Sequence, residues 1–167
     1  YHFSSNTDSE VVLYALAFWG EKALLRFNGM FALAFWDINK KNLLIARDRY
    51  GIKPLYYAEQ NGVFCFGSEQ KAILKNPSIR KNLDQGGLLE YFTFQNILSD
   101  RTLIENVKLL PAGNYANISM QDVTPSLKIT QYWNYNFHEN DKEGDPREYI
   151  EELDRLFVQA VNRQLMS

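Results

Sequence analysis

The spacing of hydrophobic residues predicts a helix near the start of the chain. The apolar positions of one helical face recur every three to four residues, at Val12, Leu16 and Trp19. Thr7 and Glu10 have the spacing of a capping box, in which each side chain accepts a hydrogen bond from the other residue's amide. Gly20 is expected to end this helix, and a second, short helix is predicted over residues 21–27.

The middle of the chain changes to a pattern typical of antiparallel strands. The continuous apolar run at residues 30–36 predicts a strand that is buried on both faces. Asn61-Gly62 is a pair that favours the tight turn of a β-hairpin. The predicted strands cover residues 30–36, 43–46, 54–58, 63–67, 115–119 and 127–135, and the predicted helices between them cover residues 68–74 and 83–94.

Helices, then strands, then helices again predict an α+β fold. The polar segment 138–145 is the predicted linker, and it separates a domain over residues 1–137 from a final segment over residues 146–167. Asp145 and Pro146 are residue types favoured at the N-cap and at the first position of a helix. The helix they begin carries an apolar stripe at Ile150, Leu153, Phe157, Ala160 and Val161.

Composition and charge reduce the number of functional classes that fit this chain. The chain is 46% hydrophobic and 23% charged, as folded globular proteins are. No apolar run approaches the roughly 20 residues that cross a bilayer. With 18 basic and 20 acidic residues the net charge is −2, without a basic stripe. We therefore expect neither a membrane nor a nucleic acid as partner. A single Cys excludes an intrachain disulfide and suits a cytoplasmic location.

Residues that resemble nucleophiles or metal ligands are interpreted as structural. Cys65 lies in an apolar strand without a neighbouring His, so we expect a small hydrophobic side chain rather than a nucleophile. His2 and His138 are far apart, and no cluster of Cys, His or carboxylate residues has the spacing of metal ligands. The pairs Asn28-Gly29 and Asn61-Gly62 are expected to form turns.

A charged cluster lies between two predicted strands, at Arg47, Asp48, Arg49 and Lys53. An anion-binding site and an internal network would both use these residues. Because Asp48 lies between two Arg residues, we expect internal ion pairs and hydrogen bonds. Ser68 and Glu69 are expected to cap the next helix.

Ordered motifs along the chain resemble the glutaminase domain of glutamine-hydrolysing asparagine synthetases. They occupy residues 27–37 (FNGMFALAFWD), 47–57 (RDRYGIKPLYY), 66–72 (FGSEQKA), 102–113 and 132–133. The final helix resembles the opening helix of the ATP-using synthetase domain. Several motifs in the family's order, over nearly the whole chain, are more specific than any one of them.

The resemblance implies part of a four-layer α-β-β-α sandwich of the N-terminal-nucleophile type, followed by the first helix of an α/β synthetase domain. The parent enzyme would be an ATP-dependent carbon–nitrogen ligase that hydrolyses L-glutamine and passes ammonia to activated aspartate, making asparagine. The expected partner is the synthetase domain of the same chain. The question whether the protein forms a homodimer stays open. Two alternatives stay open as well: an amidotransferase acting on another carboxylate, and a non-catalytic remnant of the domain.

Asp8 is the one substrate contact that the resemblance implies, as the partner of the glutamine α-ammonium. On the residues alone, Asp8 is also explained as an acidic residue favoured in a first helical turn. In the family, the catalytic Cys, the carboxylate-binding Arg and the oxyanion-hole Asn-Gly precede the matched segment, and the ATP loop follows it. No catalytic, cofactor-binding or metal-binding residue is therefore expected within residues 1–167. ATP and Mg would act elsewhere in the parent, and this segment alone, expected to be a piece of a longer protein, would be inactive.

Overall fold

The helices and antiparallel sheets of the computed structural model, which describes residues 2–121, 126–137 and 145–165, form an α+β arrangement. The helices are α1 (Asp8–Trp19), a 3-10 helix (Gly20–Leu25), α2 (Gln70–Ile73), α3 (Gln85–Phe94) and α4 (Pro146–Gln164). The strands are β1 (Ala32–Asp37), β2 (Asn42–Arg47), β3 (Tyr56–Gln60), β4 (Val63–Gly67), β5 (Val107–Leu109), β6 (Asn114–Ser119) and β7 (Ser126–Gln131). The chain divides into two compact units, Tyr1–Asn134 with all these strands and Tyr135–Ser167 with α4.

The first helix begins where it was predicted, but its capping box does not form. Thr7 is the N-cap residue, yet its side chain makes no capping hydrogen bond. The Glu10 carboxylate instead accepts hydrogen bonds from the amides of Ser4 and Ser5, at 2.9 and 2.7 Å, and from their hydroxyls. The predicted reciprocal bonds are wrong because Glu10 finds four donors in the preceding chain.

The larger sheet has the strand order β1-β2-β6-β7, all antiparallel. Strand β2 is buried on both faces, since Leu44 packs towards α1 while Ile45 packs towards the second sheet. The prediction had given this double burial to β1. That was wrong, because no residue of β1 is buried and Trp36 is 47% exposed.

The smaller sheet, β4-β3-β5, lies against the larger one. Tyr57 of β3 packs with Ile45 and Ile118 between the sheets, while Ala58 packs with Ile73 of α2 on the other side. Its hairpin turns at Asn61-Gly62, where both residues have positive φ angles (53° and 74°), as a tight turn requires. That turn was predicted correctly.

The caps of α3 and α4 agree with their sequences. The Asp84 carboxylate accepts a hydrogen bond from the Gly87 amide at 2.7 Å, so α3 begins two residues later than predicted. The Asp145 carboxylate accepts from the Arg147 amide at 2.9 Å, with Pro at the first helical position, as predicted. Residues 138–144 of the predicted linker lie outside the described residues, and the domain boundaries stay a prediction.

Candidate functional site

Asp8 is the first residue of α1, and its exposed side chain lines a cleft of about 440 Å³. On one side of this cleft lie Asp8, Val11 and Val12 of α1; on the other lie the six consecutive residues 26–31. We call this cavity the Asp8 cleft and residues 26–31 its far wall. The cleft is of a size that takes a small molecule.

A second, adjoining cleft of about 460 Å³ also reaches Asp8. It lies between α1 and residues 33–35 of β1, and its walls are mostly apolar. Asp8 is its one charged lining residue among those the structure describes. The carboxylate therefore lies where two concave surfaces meet, so a ligand in either cleft can reach it.

The Asp8 carboxylate is available to a ligand. Within residues 2–121, 126–137 and 145–165, no hydrogen bond or ion pair engages it. Glu10, two residues along the same helix, differs. Hydrogen bonds, first from the Ser4 amide and then from the Ser5 hydroxyl, lower the pKa of Glu10 to about 2. Local structure thus occupies the Glu10 carboxylate and leaves that of Asp8 open.

The far wall is shaped by aromatic contacts. The rings of Phe27 and Phe31 meet edge to face, with centroids 5.7 Å apart, and both pack against the core beneath α1. The guanidinium of Arg26 lies over the ring of Trp19, 4.5 Å from its centroid. The cleft therefore combines an open carboxylate with an apolar wall, and Arg26 is also among its lining residues. Sequence analysis did not single out Arg26, because its contact with the Trp19 ring forms only when the chain folds.

Asp48 is buried, only 1% exposed, and is held by the loop that follows it. Its carboxylate accepts hydrogen bonds from the backbone amides of Tyr50, Ile52 and Lys53, at 3.0 to 3.1 Å. These three amides bind the carboxylate directly, and among the described residues no cationic side chain lies within ion-pair distance of it. The prediction of a hydrogen-bond network is therefore confirmed.

The two neighbouring Arg side chains bind backbone carbonyls. Arg47 donates to the carbonyls of Lys53, Leu110 and Gly51. Arg49 donates to those of Leu25 and Phe27. The predicted ion pairs are wrong: in the part of the chain that the structure describes, neither guanidinium pairs with Asp48. Instead, nearby backbone carbonyls accept hydrogen bonds from the two guanidinium groups, and nearby backbone amides donate hydrogen bonds to the Asp48 carboxylate.

Cys65 lies away from the Asp8 cleft. The thiol is half-buried in β4, packs near Ala58 and Ile73, and accepts a hydrogen bond from the Asn76 amide group at 3.3 Å. These contacts are those of a structural side chain, and its lack of a catalytic role stays a prediction.

The remaining candidates are placed as follows. Asn28-Gly29 forms a bend in the far wall of the Asp8 cleft. Glu69 is the N-cap residue of α2, as expected, with Ser68 directly before it, but the Glu69 side chain makes no capping hydrogen bond and pairs with Lys71 instead. Among the described residues, which include His2 but not His138, no three His, Cys, Asp or Glu side chains gather as metal ligands would. No described helix is long and apolar enough to cross a membrane.

Residues 1–133 match the model of a protein family described as the glutamine amidotransferase domain. The chain belongs to this family. The amidotransferase domain accounts for the unit that holds both sheets and the Asp8 cleft.

Two curated relatives extend over the whole chain. The glutamine-hydrolyzing asparagine synthetase 3 of Bacillus subtilis is 33% identical over 168 residues, and synthetase 1 of the same organism is 31% identical over 172 residues. The alignments cover 100% of this chain but 26% of each relative. The chain thus spans about a quarter of the length of these relatives, and its similarity continues past the amidotransferase domain.

Proposed function

We propose that this chain is the glutaminase portion of an asparagine synthetase. In this role the whole protein releases ammonia from glutamine and transfers it to aspartate that ATP has activated. The similarity to two glutamine-hydrolyzing asparagine synthetases over the full chain supports this proposal. The single observation that connects the proposed function to a site in the structure is the open carboxylate of Asp8 at the edge of a cleft.

Asp8 binds the α-ammonium group of glutamine in this proposal. A carboxylate without an internal partner gains a charge-assisted hydrogen bond when an ammonium group arrives. Val12, Phe27 and Phe31 give the cleft an apolar surface that suits the methylene groups of the glutamine side chain. The attacking thiolate and the oxyanion-hole groups belong, as the resemblance implies, to parts of the whole protein outside residues 1–167.

We assign the unit Tyr1–Asn134 to an N-terminal-nucleophile sandwich. Three packing contacts support this assignment: α1 lies on the outer side of β2, the two sheets pack face to face, and α2 lies beyond β3. A helix, two sheets and a helix follow in the order of the family's four layers. We assign α4 to the first helix of the synthetase domain, because the alignments with both relatives run through it.

ATP and Mg act in the rest of the whole protein in this proposal, because the resemblance implies that the ATP loop follows the matched segment. The start of α3 has adjacent glycines, as phosphate-binding loops often do, but the Asp84 carboxylate already accepts from the Gly87 amide there. A negative side chain at that position opposes a phosphate.

The test compares two nitrogen sources in the whole protein. Asp8→Asn removes the charge at nearly constant size, and we expect the glutamine KM to rise roughly ten- to hundred-fold. Synthesis supported by added ammonia should be unchanged, because it does not need the glutamine pocket. Glu59→Gln, an exposed acidic position on β3, is the matched control and should change neither activity. Equal losses with both nitrogen sources would reject the assignment of Asp8.

A further inference from the structure

Arg49 does not line the Asp8 cleft, yet its side chain ends on the cleft's far wall. One guanidinium nitrogen donates to the carbonyl of Phe27 at 2.7 Å, and another donates to the carbonyl of Leu25 at 2.7 Å. We propose that Arg49 is a positioning residue that fixes the far wall for glutamine binding. This inference rests on the function proposed above.

One of the two carbonyls that Arg49 binds, that of Leu25, needs a partner from outside its own helix. Leu25 is the last residue of the 3-10 helix, and the carbonyls at the C-terminal end of a helix find no amide donor within the helix itself. A positive charge at this end also interacts favourably with the helix dipole. The far wall begins at the next residue, so the guanidinium sets the direction in which the chain leaves the helix.

The far wall is held at its other end by the neighbouring residue. The backbone amide of Asp48 donates to the carbonyl of Phe31 at 2.9 Å. Adjacent residues 48 and 49 therefore bind both ends of a segment that lies 17 or more residues earlier in the chain. Because three amides of the following loop bind the Asp48 carboxylate, this anchor is itself fixed by its surroundings.

The geometry makes a specific demand on the side chain. A guanidinium is a planar fork whose nitrogens bind two carbonyls at once, whereas an ammonium is a compact charge without that fixed geometry. Arg49→Lys should therefore retain the charge but lose the two-carbonyl bridge. The substrate would then meet a less ordered wall, which weakens binding but leaves the reacting groups untouched.

Arg47 offers a matched control. Its guanidinium also binds backbone carbonyls, those of Lys53, Gly51 and Leu110, but none of them belongs to the far wall. In the whole protein, we expect Arg49→Lys to raise the glutamine KM about five-fold, with kcat and ammonia-dependent synthesis changed by less than about two-fold. Arg47→Lys should lower the melting temperature and leave the glutamine KM near its original value. Equal KM values for both variants would overturn the proposal.

Amide hydrogen exchange gives a second measurement that does not depend on activity. Exchange in residues 25–31 should accelerate in Arg49→Lys but not in Arg47→Lys. Unchanged exchange in Arg49→Lys would overturn the positioning role.

Asp8→Asn, assayed in parallel, separates this inference from the proposed function. If Asp8→Asn raises the glutamine KM and Arg49→Lys does not, the Arg49 proposal fails alone. If Asp8→Asn has no effect on the glutamine KM, the assignment of the glutamine site to the Asp8 cleft fails, and the Arg49 proposal fails with it.

Discussion

Gly87, in the first turn of α3, lies so close to the backbone of Thr102 that a β-carbon at this position would overlap the Thr102 carbonyl oxygen. Thr102 is buried, and its hydroxyl donates to the carbonyl of Val107 at 2.8 Å while accepting from the Ile104 amide at 3.0 Å. The close contact therefore joins α3 to a segment whose own backbone is tied to β5. Neither side can move away without breaking these bonds.

Gly87→Ala should destabilise the protein for this reason. Alanine favours a helix over glycine by about 1 kcal/mol, but overpacking against a fixed backbone costs about 1–3 kcal/mol. We expect a lower midpoint in thermal or urea unfolding of the whole protein. Gly67→Ala is the control, because the nearest atoms to a β-carbon there lie at an ordinary 3.7 Å. A Gly87→Ala midpoint at or above the original would contradict the contact.

The Glu10 carboxylate should titrate far below the usual range. Its hydrogen bonds, chiefly from the Ser4 amide and the Ser5 hydroxyl, lower its pKa from 4.5 to about 2. Because the carboxylate pKa is lower in the folded than in the unfolded state, the ionised carboxylate stabilises the folded state at pH values above the ordinary pKa. This contribution is lost as the pH falls from 4.5 through 2. Carboxyl-carbon NMR titration measures the midpoint, with Glu10→Gln to assign the signal. A midpoint near 4.5 would show that these bonds do not form in solution.

Short sequence patterns predicted the local structure correctly where few neighbouring groups compete for the same hydrogen bonds. Asn61-Gly62 turns as predicted because both residues accept positive φ angles, and the Asp145 carboxylate caps α4 because its partner amide is two residues away. Thr7 and Glu10 failed as a capping box because Ser4 and Ser5 offered Glu10 competing donors. Because the competing hydrogen bonds are of similar strength, the path by which the chain enters the helix decides which of them form. A short sequence pattern does not encode that path.

Long-range packing explains the other differences. An apolar run shows that β1 is a strand but not that it lies at the edge of its sheet, and β5, three residues long, has too short a pattern to detect. The family resemblance singled out Asp8 but did not single out the far wall of the Asp8 cleft. The bond from Arg49 to Phe27 spans 22 residues, so only the folded structure brings the two together.

Tyr132 should give the protein a pH-dependent stability at alkaline pH. Its hydroxyl donates to the Arg47 carbonyl at 2.9 Å, and burial raises its pKa to about 12. Because the folded pKa lies above the ordinary value of 10, its stabilising contribution is complete below pH 10 and is lost as the pH rises towards 12.

Tyr132→Phe removes both the hydrogen bond and this titration. We expect a loss of about 1 kcal/mol at neutral pH, and the gap to the original protein should shrink above pH 10. Melting temperatures measured across that range give the comparison. Tyr57, whose pKa burial also raises to about 12, is present in both proteins and cancels. A gap that stays constant between pH 8 and pH 12 would show that Tyr132 titrates normally in the folded state.

Cys65→Ser should leave glutamine-dependent turnover within a few-fold of the original. The thiol packs in the cluster formed by β3, β5 and α2, accepts a hydrogen bond from Asn76, and is not a lining residue of either cleft at Asp8. Serine retains the acceptor for Asn76 but is more polar, so a small loss of stability is expected. Steady-state assays with glutamine and with ammonia, beside a melting curve, make the distinction. Abolished glutamine turnover in a variant with an unchanged melting temperature would contradict the structural role of Cys65.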